Sequence, residues 1–121
     1  GWDWFSLHFD SGAKAMVFRL RDETVAPFFA GTWISADGKA TPLESEDIRL
    51  QELKTTRVAG RRVPVRWRLA IESREIEIDT APLNEKSWMS TSFPYWEGPI
   101  AFTGTHEGVG YLEMTGYEPR R

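Results

Sequence analysis

The chain has 121 residues, 40% hydrophobic, 13% aromatic and 27% charged, which is the size and make-up of one globular domain able to bury a substantial core without disulfide or metal. Its net charge of −3 supplies no field that would gather nucleic acid, and the absence of cysteine excludes disulfides, thiolate catalysis and Cys-ligated zinc. Six tryptophans call instead for a thick β core, a cavity for an apolar ligand or a large interface.

From the first residues the dominant period is two. Gly1-Trp2-Asp3 opens the chain without an initiator methionine and already in a strand pattern, which implies a processed product or an excised domain. Residues 2–9 read as a strand, followed by a turn at Asp10-Ser11-Gly12 and a second strand over 14–21. A third strand over 28–35 runs into Ala36-Asp37-Gly38-Lys39, a strong hairpin signal, and a fourth covers 47–53. In 63–72, Val63, Val65, Trp67, Leu69 and Ile71 share one face while Arg66, Arg68 and Glu72 take the other, the pattern of a half-buried antiparallel strand. Residues 75–79 alternate likewise. With a two-residue turn at Ser73-Arg74, Ile71 faces Ile76, Leu69 faces Ile78 and Arg68 faces Asp79. Residues 84–92 have room for one helical turn at most. The last hairpin pairs 99–106 with 109–117 through Glu107-Gly108.

About eight short antiparallel strands with polar connections predict an all-β barrel or sandwich spanning residues 1–121 as one domain. Two strands depart from the one-apolar-face rule. One face of the first carries Trp2, Trp4, Ser6 and His8, and the other Asp3, Phe5, Leu7 and Phe9; in the third, Phe28 and Ile34 oppose Phe29 and Trp33. Both faces want cover, which a closed barrel with an occupied lumen and a partner against its outer wall would provide.

Six stretches carry a family resemblance in order and nearly end to end. They are Gly1-Trp2-Asp3-Trp4-Phe5-Ser6-Leu7 with Met16-Val17-Phe18-Arg19-Leu20-Arg21, then Ala30-Gly31-Thr32-Trp33-Ile34, Pro64-Val65-Arg66-Trp67-Arg68, Tyr95-Trp96-Glu97-Gly98, and Gly110-Tyr111-Leu112-Glu113-Met114-Thr115-Gly116-Tyr117. Together they resemble the C-terminal lipocalin-like domain of the carotenoid 1,2-hydratase (hydroxyneurosporene synthase) and AttH-like group, whose members are often described as secreted hydrolases. The resemblance implies a lipocalin-like, calycin-type β-barrel, the second of two in tandem, in an exported protein of the periplasm or cell envelope. It also implies a sister barrel or a homodimer partner, an isoprenoid or lipid-like small molecule, and no cofactor. The group's activities run from carotenoid hydration to pericyclic-reaction catalysis by proteins of similar shape, and include members without a known activity, so fold transfers more readily than reaction.

Hydration of an isolated C=C bond needs a positioned acid, stabilisation of a tertiary cation, and a water. A carboxylic acid in an apolar pocket supplies the first, and tryptophan faces the second. Asp3 lies between Trp2 and Trp4, and Glu97 follows Tyr95 and Trp96 in a run bracketed by Phe93-Pro94 and Pro99. Both are candidate acids. Each has a structural alternative, Asp3 as a turn or capping acceptor and Glu97 as a carboxylate that accepts backbone N–H groups or pairs with an arginine. Strand neighbours point to opposite faces, so Trp96 and Glu97 share a lumen only if Gly98-Pro99 makes a bulge. His8 is the candidate general base if it faces inward. His8 and His106 lack metal-ligand spacing, and no metal site is expected. Trp33, read as packing at one end of the barrel, joins Trp2, Trp4, Tyr95 and Trp96 among the rings that would touch an apolar ligand. The arginines Arg57, Arg61, Arg62, Arg66 and Arg68 alternate with apolar residues beside an acidic strand and read as a solvated sheet face. No nucleophile elbow, zinc-protease helix, phosphate loop or dinucleotide fingerprint is present. The leading expectation is a binding barrel for an elongated apolar ligand, with an acid-catalysed hydratase and a purely structural, docked barrel as alternatives.

Overall fold

Strands form in this chain wherever alternate side chains have a core to enter. β1 (Trp2–Phe9) buries Asp3, Phe5, Leu7 and Phe9 and turns Trp2, Trp4, Ser6 and His8 outward. The computed structural model describes residues 1–22, 24–90 and 94–117. After β1 come β2 (Lys14–Asp22), β3 (Val25–Ile34) and β4 (Ala40–Leu43), then a 3-10 turn at Ser45–Asp47 and the long hairpin of β5 (Ile48–Val58) and β6 (Arg61–Ile71). A second 3-10 turn, Glu72–Arg74, precedes β7 (Ile76–Pro82), which is followed by β8 (Trp88–Met89), β9 (Tyr95–Gly104) and β10 (Gly108–Met114). The strands form one antiparallel sheet in the order β4-β3-β2-β1-β10-β9-β7-β6-β5, with β8 beside the start of β9.

The sheet curls into a lipocalin-like barrel, all-β and antiparallel as the sequence leads one to expect. It has ten strands among the described residues rather than about eight. The additions are the short β4 and the two-residue β8, where the sequence reading allowed a helical turn; the end of that stretch, Thr91 and Ser92, lies outside the described residues, as does Phe93. Closure is incomplete, a correction to the closed barrel expected. Among the described residues, no strand pairing joins β4 or β3 to β5.

The β6–β7 register is the expected one, with Ile71 opposite Ile76, Leu69 opposite Ile78 and Arg68 opposite Asp79. Arg68 clamps Asp79 through two hydrogen bonds of 2.8 and 3.1 Å. The connection is a 3-10 turn followed by Glu75 in the left-handed region at φ 54°, rather than a simple two-residue turn.

β9 corrects a second expectation. It pairs with β10 in unbroken register from Trp96↔Met114 to Phe102↔Gly108, so no bulge sits at Gly98-Pro99. Gly98 serves close packing instead: a Cβ there would lie 2.9 Å from the Cβ of Ser87. Trp96 therefore points inward and Glu97 outward.

The interior is filled. Phe5, Leu7, Val17, Val65, Trp67, Leu69, Ile78 and Leu112 have no exposed surface, and Phe5 meets Trp67 edge to face at 5.6 Å. Burying each large side chain of this kind contributes about 1.5–3 kcal/mol. The two fully buried indoles also find acceptors: Trp67 Nε1 donates to the Pro64 carbonyl at 3.2 Å, and Trp96 Nε1 to that of Glu85 at 2.8 Å.

Candidate functional site

The alternation of β1 separates the sequence candidates into two places. Asp3 points inward at one end of the barrel and is completely buried. β2 pairs Asp3 with Arg19, two residues from Arg21, so both guanidiniums fall on the same inner face. Asp3 Oδ2 accepts from Arg19 Nε at 2.8 Å and Arg21 Nε at 2.9 Å, and Oδ1 accepts from the Tyr117 hydroxyl at 2.6 Å. The Arg21 guanidinium lies 4.0 Å above the Tyr117 ring, and Arg19 stands 5.1 Å from the ring of Trp67. Burial first, and then the Asp3 charge, push the Tyr117 phenol far above its ordinary range. Arg21 also donates to the Thr115 carbonyl. Two guanidiniums and a phenol hydroxyl thus satisfy both oxygens of one buried carboxylate, in a node that ties β1, β2 and the segment after β10. Such a carboxylate braces the fold and offers a substrate no open oxygen.

The second place is the outer wall. Trp2, Trp4, Tyr95 and Glu97 all lie on it, joined by Tyr111 and Glu113 of β10. Glu113 stands opposite both Trp4 and Glu97 in the pairing of β10 with its neighbours. The Trp2 indole donates to Glu113 Oε2 at 2.9 Å. Tyr95 donates to Glu97, and this hydrogen bond, followed by the Glu97 charge, raises the phenol's pKa. Across β1 the wall continues through Met16, Phe18 and Leu20 of β2 to Phe28 of β3, with the Phe18 and Phe28 rings 6.4 Å apart. Trp4 borders a depression that Met16, Phe18, Ala30 and Thr32 also line.

The remaining candidates lie elsewhere. His8 is exposed on the outer wall, not in the lumen, four residues and about 13 Å along the strand from Trp4. Trp33 points inward at the far end, against Phe9 at 5.3 Å and beneath Arg74 at 4.9 Å. Trp96 is in the core. Asp3 and Glu97 thus belong to opposite faces of the sheet, and the structure does not unite them in one site. Among the described residues no three His, Cys, Asp or Glu side chains converge as a metal-binding set.

Sequence reasoning missed the partners. Arg19 and Arg21 around Asp3 are recoverable from the β1–β2 hairpin register, which sets Asp3 against Arg19; Tyr117 and Glu113 become visible only once β10 is placed between β1 and β9. A pocket of about 490 Å³ at the unpaired edge of β5, lined by Phe29, Ile48 and Leu50 and by Arg49, Arg68 and Glu77 across β5, β6 and β7, had no sequence signal at all.

An AttH-like family profile matches residues 1–117. The chain belongs to the AttH-like family. A crystal structure of an AttH candidate from Nitrosomonas europaea superposes on this AttH-like chain with a TM-score of 0.87 at 28% identity, covering 98% of it. The chain spans 39% of that protein's length. No curated protein matches.

Proposed function

We propose that this AttH-like domain is a docking and binding barrel. The outer wall of β1, β2, β3, β9 and β10 packs against a second lipocalin-like barrel or a second copy of the chain. An elongated apolar molecule, isoprenoid or lipid-like, is held there against Trp2, Trp4 and Tyr95. The observation that carries the reading is the contrast between the sheet's two faces. The lumen is filled with side chains, while Phe28, Leu20 and Val109 on the wall remain 54%, 47% and 62% exposed. Apolar surface of that continuity marks an interaction site. Such a protein would act outside the cytoplasm, in the periplasm or cell envelope.

The test combines sedimentation of the chain with tryptophan-fluorescence titration by a long-chain polyene and a fatty acid, using wild type and Trp4→Phe. Self-association and saturable quenching, the latter lost in Trp4→Phe, are the expected results. A strictly monomeric chain with no saturable change from either ligand sinks the reading.

One observation favours a second reading, an acid-catalysed hydratase of a carotenoid-like substrate. Glu97 and Glu113 face each other across β9 and β10 beside Tyr95 and Trp2. Here protonated Glu97 gives its proton to one carbon of a C=C bond, the cation forms over Trp4, and water adds to it and returns a proton to a carboxylate. Glu97→Gln would then abolish hydration and leave polyene quenching intact. Loss of neither, in a wild type that hydrates, removes Glu97 from the chemistry.

A further inference from the structure

At the end of the barrel where β1, β6 and β9 begin, the inner face of β6 finishes in a charge. Val63, Val65 and Trp67 are fully buried, and the same alternation turns Arg61 to the core side, opposite the buried Val58. The sequence reads five arginines as a solvated sheet face. Arg57, Arg62 and Arg66 are indeed exposed, and Arg68 is held by Asp79, but Arg61 is half-buried and faces inward. Its guanidinium lies 4.5 Å from the ring of Trp88, and Nη1 donates to the Ala59 carbonyl at 2.8 Å. Among the described residues no carboxylate pairs with it.

A pocket of about 220 Å³ opens beside this cation, and Trp2, Trp88, Pro94 and Tyr117 line it together with Arg61. No described carboxylate lines it. Behind Tyr117 the balance is positive again. The Tyr117 ring has Arg21 against it at 4.0 Å, and Asp3 serves both Arg21 and Arg19, two guanidiniums on one carboxylate. The described acids nearby are turned elsewhere. Glu97 and Glu113 face the outer wall, Glu85 pairs with Lys54, and Asp22 lies with Arg21 in a separate depression across Gly1 and Gly116.

We propose that this pocket at the barrel mouth binds a small aromatic carboxylate, a single arene bearing one ionised carboxyl group. The charge of the walls sets the sign of the ligand. A guanidinium held against an indole presents its remaining N–H donors as a planar fork, which matches the two oxygens of a carboxylate. The other walls set the body. Two indoles, a phenol ring and a proline favour a flat apolar group, and inorganic phosphate would leave those surfaces unused. The volume lies below the roughly 300–1,000 Å³ of pockets for drug-sized ligands, so the occupant is about one ring with a short substituent. A long acyl chain would need a lumen to run into, and this lumen is filled. The pocket opens at the barrel end rather than on the outer wall, so it stands or falls apart from the docking reading.

Titration of the isotopically labelled chain, followed at the side-chain N–H resonance of Trp88, tests this. The probes are benzoate, its neutral counterpart benzamide, the cation benzylamine, and acetate. Benzoate should shift the Trp88 resonance saturably, with a midpoint of about 1 mM or below, and the other three should bind at least about tenfold more weakly. Arg61→Gln should weaken benzoate by about tenfold or more. Should that variant fail to fold, benzoate against benzamide on the wild type decides alone. The proposal is overturned if benzamide or acetate matches benzoate, or if folded Arg61→Gln binds benzoate as tightly as wild type. It is equally overturned if benzoate gives no saturable shift, or shifts only the exposed face of Arg57 and Arg62.

Discussion

Asp3 shows how far a single residue can be read before its partners are known. Its position between two tryptophans suggested an acid in an aromatic pocket, yet alternation sends it to the face opposite both rings. What waits there is Arg19, Arg21 and Tyr117, whose positions depend on pairing and not on sequence proximity. Removing the charge strands two guanidiniums whose side chains are only 12% and 22% exposed. Asp3→Asn should therefore cost about 3 kcal/mol in urea unfolding, the low end for a broken buried pair because the arginines retain some water. Tyr117 makes a separate prediction about pH. Its folded pKa is raised above the ordinary value near ~10, so above that pH the unfolded chain releases a proton that the folded chain keeps. The unfolded state then binds fewer protons than the native state, and stability falls as pH rises. Equilibrium unfolding should weaken progressively above pH ~10 in the wild type, and Tyr117→Phe should remove that component of the slope.

At the scale of elements, legibility tracks how sharply the two faces of a strand differ. β6 and β7 have a clean apolar face and a charged one, and only one register matches Leu with Ile inside and Arg with Asp outside. Their pairing is therefore written in the sequence, but the path of the loop is not. Glu75 closes that loop at φ 54°, a conformation that a side-chain-bearing residue adopts at a cost of roughly 1–2 kcal/mol. Glu75→Gly should stabilise the protein by about 0.5–1 kcal/mol after the extra entropy of an unfolded glycine is subtracted, visible as a higher urea midpoint at unchanged m-value. β8 and the bare edge of β5 were illegible for the opposite reason. Two residues have no period, and whether an edge finds a partner depends on how far the sheet curls. Glu97 belongs here too: its surroundings suggested a bulge, but Gly98 is required by the passage of Ser87 rather than by a kink in β9.

The whole molecule is a curled sheet that is apolar on both faces over β1, β2 and β3, and there the symmetry kept the sequence from revealing which face is inside. The buried Asp3 node breaks it, because Arg19 and Arg21 accompany the Asp3 face inward and leave Trp2 and Trp4 outside. The same division predicts opposite responses to substitution. Leu7→Ala opens a void in a fully packed lumen and should cost about 2–5 kcal/mol. Leu20→Lys with Val109→Lys replaces side chains that are 47% and 62% exposed, and should change the unfolding free energy by no more than about 0.5 kcal/mol for each. Association should respond the other way. On a wall that docks a partner, two new ammonium groups would be buried unpaired, so sedimentation of the double variant should show the complex weakened or lost while its urea midpoint stays close to wild type. If association survives both lysines unchanged, the contact lies off this wall, and its aromatic residues would need another explanation.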